Sequence, residues 1–116
     1  MPDVVFQFKH AADGSFSFPF ISERVYDLYE ERAADVAANP MLLFTPVPHE
    51  RRMALAKSMM QSKRTGNPWS FETLIHCGNG TRKWIRGQAS VSFGDDDSVF
   101  WDGVLSDITL SVLDGN

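Results

Sequence analysis

The stretch from Trp69 to Thr109 constrains this sequence more than any other. It holds three strand-like runs in succession: WSFETLIHC (69–77), TRKWIRGQASVSF (81–93) and VFWDGVLSDIT (99–109). Gly78-Asn79-Gly80 separates the first two, and the turn-forming GDDDS (94–98) separates the last two. Strands joined by so few residues, with Gly, Asn and Asp between them, fold back on themselves, so the stretch predicts an antiparallel meander. Such a meander must bury one face, and the upstream half of the chain has to supply the cover.

That upstream half opens with a short strand at Val4 to Lys9 (VVFQFK) and a turn at Asp13-Gly14. Ser15 to Ile21 (SFSFPFI) alternates, which predicts Phe16, Phe18 and Phe20 on one side of a second strand. Pro19 cannot donate to a ladder, so this strand belongs at a sheet edge. Ser22 is the expected N-cap of a helix over Glu23 to Glu30, with Val25, Leu28 and Tyr29 at i, i+3, i+4 spacing. Ala33 to Ala38 adds a turn or two, stopped by Asn39-Pro40. Met41 to Val47 is bracketed by prolines and allows only a brief helix. Pro48 then opens a longer helix to Lys63, with Met53, Leu55, Ala56, Met59 and Met60 as its apolar set and Arg51, Arg52, Lys57, Gln61, Lys63 and Arg64 on the wet side. Gly66-Asn67-Pro68 ends it. Two strands, a block of helices and three strands make an α+β domain: a five-stranded antiparallel sheet with helices packed on one face.

Composition narrows the function classes. At 116 residues the chain is one domain, and 43% apolar with 22% charged residues is ordinary for a packed core. A net charge of −4 argues against a nucleic-acid binder working by bulk electrostatics. No apolar run approaches the roughly 18 residues of a membrane span. The single cysteine, Cys77, excludes an internal disulfide and fits a reducing compartment, so a cytoplasmic location is expected.

Strand parity assigns the faces. Trp69, Phe71, Thr73 and Ile75 share one side of the third strand; Ile85, Gly87, Ala89 and Val91 share one side of the fourth, and Trp101, Gly103 and Leu105 one side of the fifth. This is the less polar face and the expected interior. Three very small residues, Gly87, Ala89 and Gly103, sit there in mid-strand, where a glycine usually marks a close approach. Either a helix packs hard against them or a small molecule does. Met53, Ala56 and Met60 of the long helix are expected over the same spot, as plain core or as the adaptable wall of a pocket. The opposite face carries Leu74, Trp84, Phe100 and Val104 within an Arg/Gln/Ser rim, which suggests a partner surface.

In this order the chain resembles a PAS domain. The resemblance rests on Asn79-Gly80, Lys83-Trp84-Ile85, the acidic turn Gly94-Asp95-Asp96-Asp97, and Trp101-Asp102-Gly103 through Asp107-Ile108-Thr109, which matches a W-x-G-x-x-x-D-I-T pattern. Asp13-Gly14 and FSFPFIS running into Glu23-Arg24-Val25-Tyr26 agree, whereas the family's His-Pro-acidic-acidic lead-in to its long helix is matched only in part, by Val47-Pro48-His49-Glu50-Arg51. The resemblance covers essentially the whole chain. It implies a sensory or dimerisation module of a bacterial histidine kinase, diguanylate cyclase or transcription regulator, with any ligand held between sheet and helices. It also implies that Asp107, Ile108 and Thr109 hand the last strand to a linker, starting at residues 110–116, that leads to an output domain in the same polypeptide.

Departures from the family bear on cofactors. No Asn-Cys-Arg-Phe helix is present, so a covalent flavin is disfavoured; His49 lies in the first turn of the long helix, so a haem ligand there is disfavoured too. His10 and His76 read as surface residues, no Cys/His cluster has metal spacing, and a non-covalent organic ligand stays open. Three functions are weighed: a sensor relaying through the linker, a ligand-free homodimerisation module, or a small pocketed enzyme. The last is disfavoured, because Phe71, Thr73, Ile75, Ile85, Gly87, Ala89, Val91, Trp101, Gly103 and Leu105 include no ionisable side chain to serve as a buried acid or base. Asp107 is read equally as a relay anchor and as a helix N-cap.

Overall fold

The computed structural model describes residues 3–113. Asp114, Gly115 and Asn116, which the linker expectation includes, lie outside the described residues. The elements run β1 (Val4–His10), β2 (Phe16–Ile21), α1 (Val25–Tyr29), α2 (Ala33–Ala38), a 3-10 turn (Pro40–Leu43), α3 (His49–Thr65), β3 (Trp69–His76), β4 (Arg82–Phe93), β5 (Val99–Asp107) and α4 (Thr109–Leu113). The five strands form one sheet in the order β2-β1-β5-β4-β3, and every neighbouring pair is antiparallel.

The meander is the centre of this sheet. Trp69 pairs with Ala89, Gly87 with Leu105 and Ala89 with Gly103. β1 then joins the free side of β5, with Phe6 opposite Gly103 and Phe8 opposite Trp101. The buried side chains of the inner face meet those of α1, α2 and α3 in one core that includes Val4, Val25, Val36, Ile75 and Trp101, all fully buried. The helices therefore cover the face that strand parity assigns to the interior, and Trp84 lies on the other one.

Two expectations at the β1–β2 edge are corrected. Lys9 pairs with Ser17 and Gln7 with Phe20, so the register shifts by one residue at Phe18-Pro19. A shift of one residue reverses the facing of the side chains beyond it. Phe18 and Ile21 are both buried, and Phe20, expected beside Phe18, turns outward and is 53% exposed. Pro19 costs nothing there, because the bulge needs no donor from it. Ser22 does not cap α1. Its hydroxyl accepts from the Val5 amide at 3.0 Å while its own amide donates to the Val5 carbonyl at 2.9 Å, so it prolongs the β1–β2 ladder, and the helix starts later with no side-chain cap.

Neither a helix nor a ligand is what the mid-strand glycines make room for. A Cβ on Gly87 would lie 2.6 Å from Cζ3 of Trp69, so it is the Trp69 indole that occupies the space a side chain would take. A Cβ on Gly103 would overlap the Gln88 carbonyl oxygen and come within 2.6 Å of the Ala89 Cα. There the approaching body is the backbone of β4 itself.

Candidate functional site

The inward stripe of α3 is Leu55, Ser58, Met59 and Ser62, spaced i, i+3, i+4, i+7. Two of these four are serines, and each serves an indole. Trp69 Nε1 donates to Ser58 Oγ at 2.8 Å, and Ser58 Oγ donates on to the Leu55 carbonyl at 2.7 Å. Trp101 Nε1 donates to Ser62 Oγ at 3.1 Å, and Ser62 Oγ donates to the Asn67 carbonyl at 2.6 Å. A buried indole N–H without an acceptor costs about 1–3 kcal/mol, so the two serines are what allows two tryptophans to lie under one helix.

Between this helix and the sheet is an apolar cavity of about 70 Å³. Of the residues expected to bound it, Phe71, Thr73, Ile85, Gly87, Trp101 and Leu105 are walls. Ile75, Ala89 and Gly103 are inner-face residues outside its lining. Met53, Ala56 and Met60 are corrected outright: all three are exposed, Met53 by 68%, on the solvent side of α3. Hydrophobicity ranks methionine above serine for burial, and here indole hydrogen bonding overrides that ranking. Leu55 and Met59 supply the helical wall instead. The far walls come from the first half of the chain and include Phe8, Phe18, Phe44 and Tyr29, which parity within the meander could not assign.

Besides the two satisfied indoles and the weak acceptor of the Met59 thioether, the polar side chains of the lining are Thr73 and Tyr29. The Thr73 hydroxyl donates to the Leu74 carbonyl at 2.9 Å. Burial, with a lesser push from Cys77, raises the Tyr29 phenol well above its ordinary range, so it stays neutral. No histidine or cysteine is among the walls. Cys77 is buried elsewhere, its thiol 3.6 Å from the Leu28 carbonyl, and burial pushes its pKa up, which makes it a poor nucleophile.

The end of the sheet is tied to α4 through Asp107, Ile108 and Thr109. Asp107 Oδ1 accepts from both the amide and the hydroxyl of Thr109. Thr109 Oγ1 in turn accepts from the Trp84 amide at 2.9 Å, and the Ile108 amide donates to the Trp84 carbonyl at 2.8 Å. Both backbone groups of Trp84 are thus held by the start of α4. The Asp107 carboxylate thus caps the first turn of α4 and also orients the hydroxyl that holds β4.

On the outer face Leu74, Trp84, Phe100 and Val104 are all half-buried. Leu74 is paired with Trp84, and Val104 with Val5. Exposed Val5 and Phe20 extend the apolar strip, and Glu72 with Arg86 (2.8 Å) and Gln7 with Asp102 (3.0 Å) form the polar rim. Among the described residues no group of His, Cys, Asp and Glu could hold a metal ion, and no helix is long and apolar enough to cross a membrane.

A helix-covered antiparallel sheet of order 2-1-5-4-3 with a cavity beneath its long helix defines the class of the molecule. It is the PAS fold. A domain named for a light and redox sensing histidine kinase of Haloarcula marismortui is similar to it with a TM-score of 0.76 and 23% identity, over 93% of this chain and 90% of that one. The N-terminal domain of a diguanylate cyclase with PAS/PAC sensor from Marinobacter aquaeolei gives 0.73 and 16%, over 93% and 98%. A PAS domain of a Colwellia psychrerythraea protein gives 0.67 and 14%, over 93% and 86%. No protein-family profile matches the sequence, and no curated protein does.

Proposed function

We propose that this chain is the sensory and signal-transmitting PAS module of a multidomain signalling protein, a diguanylate cyclase or a histidine kinase, and that it has no catalytic role of its own. The cavity takes a small molecule, and α4 relays its presence. One observation carries the reading: Ile85 is a cavity wall, and its chain neighbour Trp84 is the residue whose amide and carbonyl hold the start of α4. Whatever shifts Ile85 acts on the anchor of α4 across one peptide unit. A ligand favours one arrangement of that anchor only by the difference in its affinity for the two arrangements. The similar domains named for a histidine kinase and a diguanylate cyclase support the choice of output.

The test is Thr109→Val in the signalling polypeptide that carries this domain. The change removes the hydroxyl that accepts from Trp84 and keeps the side-chain shape. The expected result is an unaltered melting profile of the sheet with an output that no longer responds to a cavity-filling change, Leu105→Phe. If Leu105→Phe shifts output equally with Thr109 and with Val at that position, the relay does not run through this knot.

A second reading rests on the outer face. Val5, Phe20, Trp84 and Val104 form an apolar strip, and α4 leaves Leu110 and Leu113 each 71% exposed. A homodimer covering both would account for them. Trp84→Glu is then expected to give a monomer by sedimentation, and a variant that sediments like the wild type removes this reading.

A further inference from the structure

We propose that the cavity takes an apolar molecule of about three heavy atoms or fewer, a dissolved gas or a short hydrocarbon, and excludes polar and ionic molecules of the same size. This rests on the reading of the cavity as a ligand site and gives that site its chemistry. The side chains of the walls leave no polar group in need of a ligand. Both indole N–H groups are committed, Trp69 to Ser58 and Trp101 to Ser62, and the Thr73 hydroxyl donates to the Leu74 carbonyl. Among the described residues the buried side-chain nitrogen and oxygen atoms without a partner belong to His10 and Ser98, and neither residue is a wall. A buried water needs about two to four polar partners, and a polar ligand would likewise give up its hydration here without replacement. An apolar molecule gives up nothing of that kind on leaving water.

Size and charge set the rest of the class. At about 70 Å³ the cavity has less than half the volume of an apolar cavity of about 150 Å³, which holds one benzene. By proportion with the carbons of benzene, about three heavy atoms fill it. No cation lines it, and its walls are buried except Phe44 and Phe71, which are half-buried. An anion inside would therefore lose its hydration with nothing to offset the loss. Packed interiors hold few voids larger than a water molecule, and walls that face a void lose their dispersion contacts across it. A small apolar occupant restores those contacts to Phe8, Phe18, Leu55 and Leu105.

The experiment is a chemical-shift titration of the chain with probes of equal heavy-atom count, cyclopropane, ethanol and formate, and with benzene as an oversized one. Cyclopropane is expected to bind with a Kd on the order of millimolar and to move the methyl resonances of Leu55, Met59, Ile85 and Leu105. Ethanol should bind about tenfold more weakly, and formate and benzene should move none of these resonances. Leu105→Phe, which fills the cavity, should abolish the cyclopropane shifts at Leu55 and Ile85. Tyr29→Phe and Thr73→Val, which remove hydroxyls from wall residues at nearly constant shape, should leave the cyclopropane Kd within about twofold. Ethanol or formate binding as tightly as cyclopropane, benzene moving the same resonances, or a cyclopropane Kd that collapses in either hydroxyl variant overturns the proposed ligand class and leaves the ligand site standing. If no probe moves any cavity resonance, the ligand site itself falls.

Discussion

β3, β4 and β5 contribute alternate residues to two faces built on opposite terms. Inside, Trp69 and Trp101 bond Ser58 and Ser62 of α3, each indole N–H has one designated partner, and a glycine makes room for the Trp69 indole at Gly87 and for the β4 backbone at Gly103. Outside, Leu74, Trp84, Phe100 and Val104 are half-buried among Glu72, Arg86, Gln88 and Ser90, and water can satisfy whatever a neighbour does not. The difference teaches where single substitutions matter. Where the inner face is closely packed, as at Gly103 and Ser62, an added methyl group or a lost hydroxyl has nothing to compensate it, whereas on the outer face most changes meet solvent.

The strongest way to break this contrast is Gly103→Ala. Its Cβ would collide with backbone of β4, which cannot rotate aside as a side chain does, so a loss of at least about 3 kcal/mol is expected in urea unfolding. A loss below about 1 kcal/mol would mean that the sheet yields there. Ser62→Ala should come next, at about 1–3 kcal/mol, because it orphans the N–H of fully buried Trp101. On the outer face, Glu72→Gln breaks the exposed pair with Arg86 and should cost under about 1 kcal/mol and less still in high salt. A cost as large as that of Ser62→Ala would erase the distinction between the faces.

The smallest effect sharpens the comparison at the margin of the inner face. Burial first, then the nearby Lys63, holds the His10 imidazole below its ordinary range, and Asp13 partly opposes this. A group whose pKa is lowered by folding contributes stability that is full above its unfolded pKa, about 6.5, and is lost as pH falls through the folded value. Unfolding midpoints measured from about pH 7.5 down to about pH 5 should therefore drop more for the wild type than for His10→Gln. Parallel profiles would remove His10 from the account.

Much of this was legible in the sequence, and the failures share a cause. The meander, its parity and the buried face come from alternation and turn chemistry, both local. Phe20 escaped because the bulge at Phe18-Pro19 depends on how β2 pairs with β1, and alternation alone cannot show a register shift. Ser22 looked like a cap because the residues after it are helical, yet Val5, seventeen positions away, takes its hydroxyl. In α3 hydrophobicity pointed to Met53 and Met60, while the helix turns Ser58 and Ser62 inward for two indoles that lie later in the chain. Tyr29 was visible only as an apolar-face residue of α1; its place in the cavity wall depends on the packing of α1 against the sheet. Local pattern sets the strands and the face that is buried, and distant partners decide which individual side chains turn inward.

The outermost strands have a consequence for how copies of the chain can meet. An open sheet ends in two rows of unpaired amides and carbonyls, and strands from other molecules add to such rows readily. Here Pro19 and its kink spoil the β2 border, while at β3 Arg51 donates to the Glu72 carbonyl at 2.8 Å and the His76 amide donates to the Pro46 carbonyl at 2.9 Å. Lateral growth into a continuous ribbon is thereby obstructed on both flanks. Any contact between copies is thereby directed to the faces of the sheet, where a two-fold pairing of identical patches would close on itself.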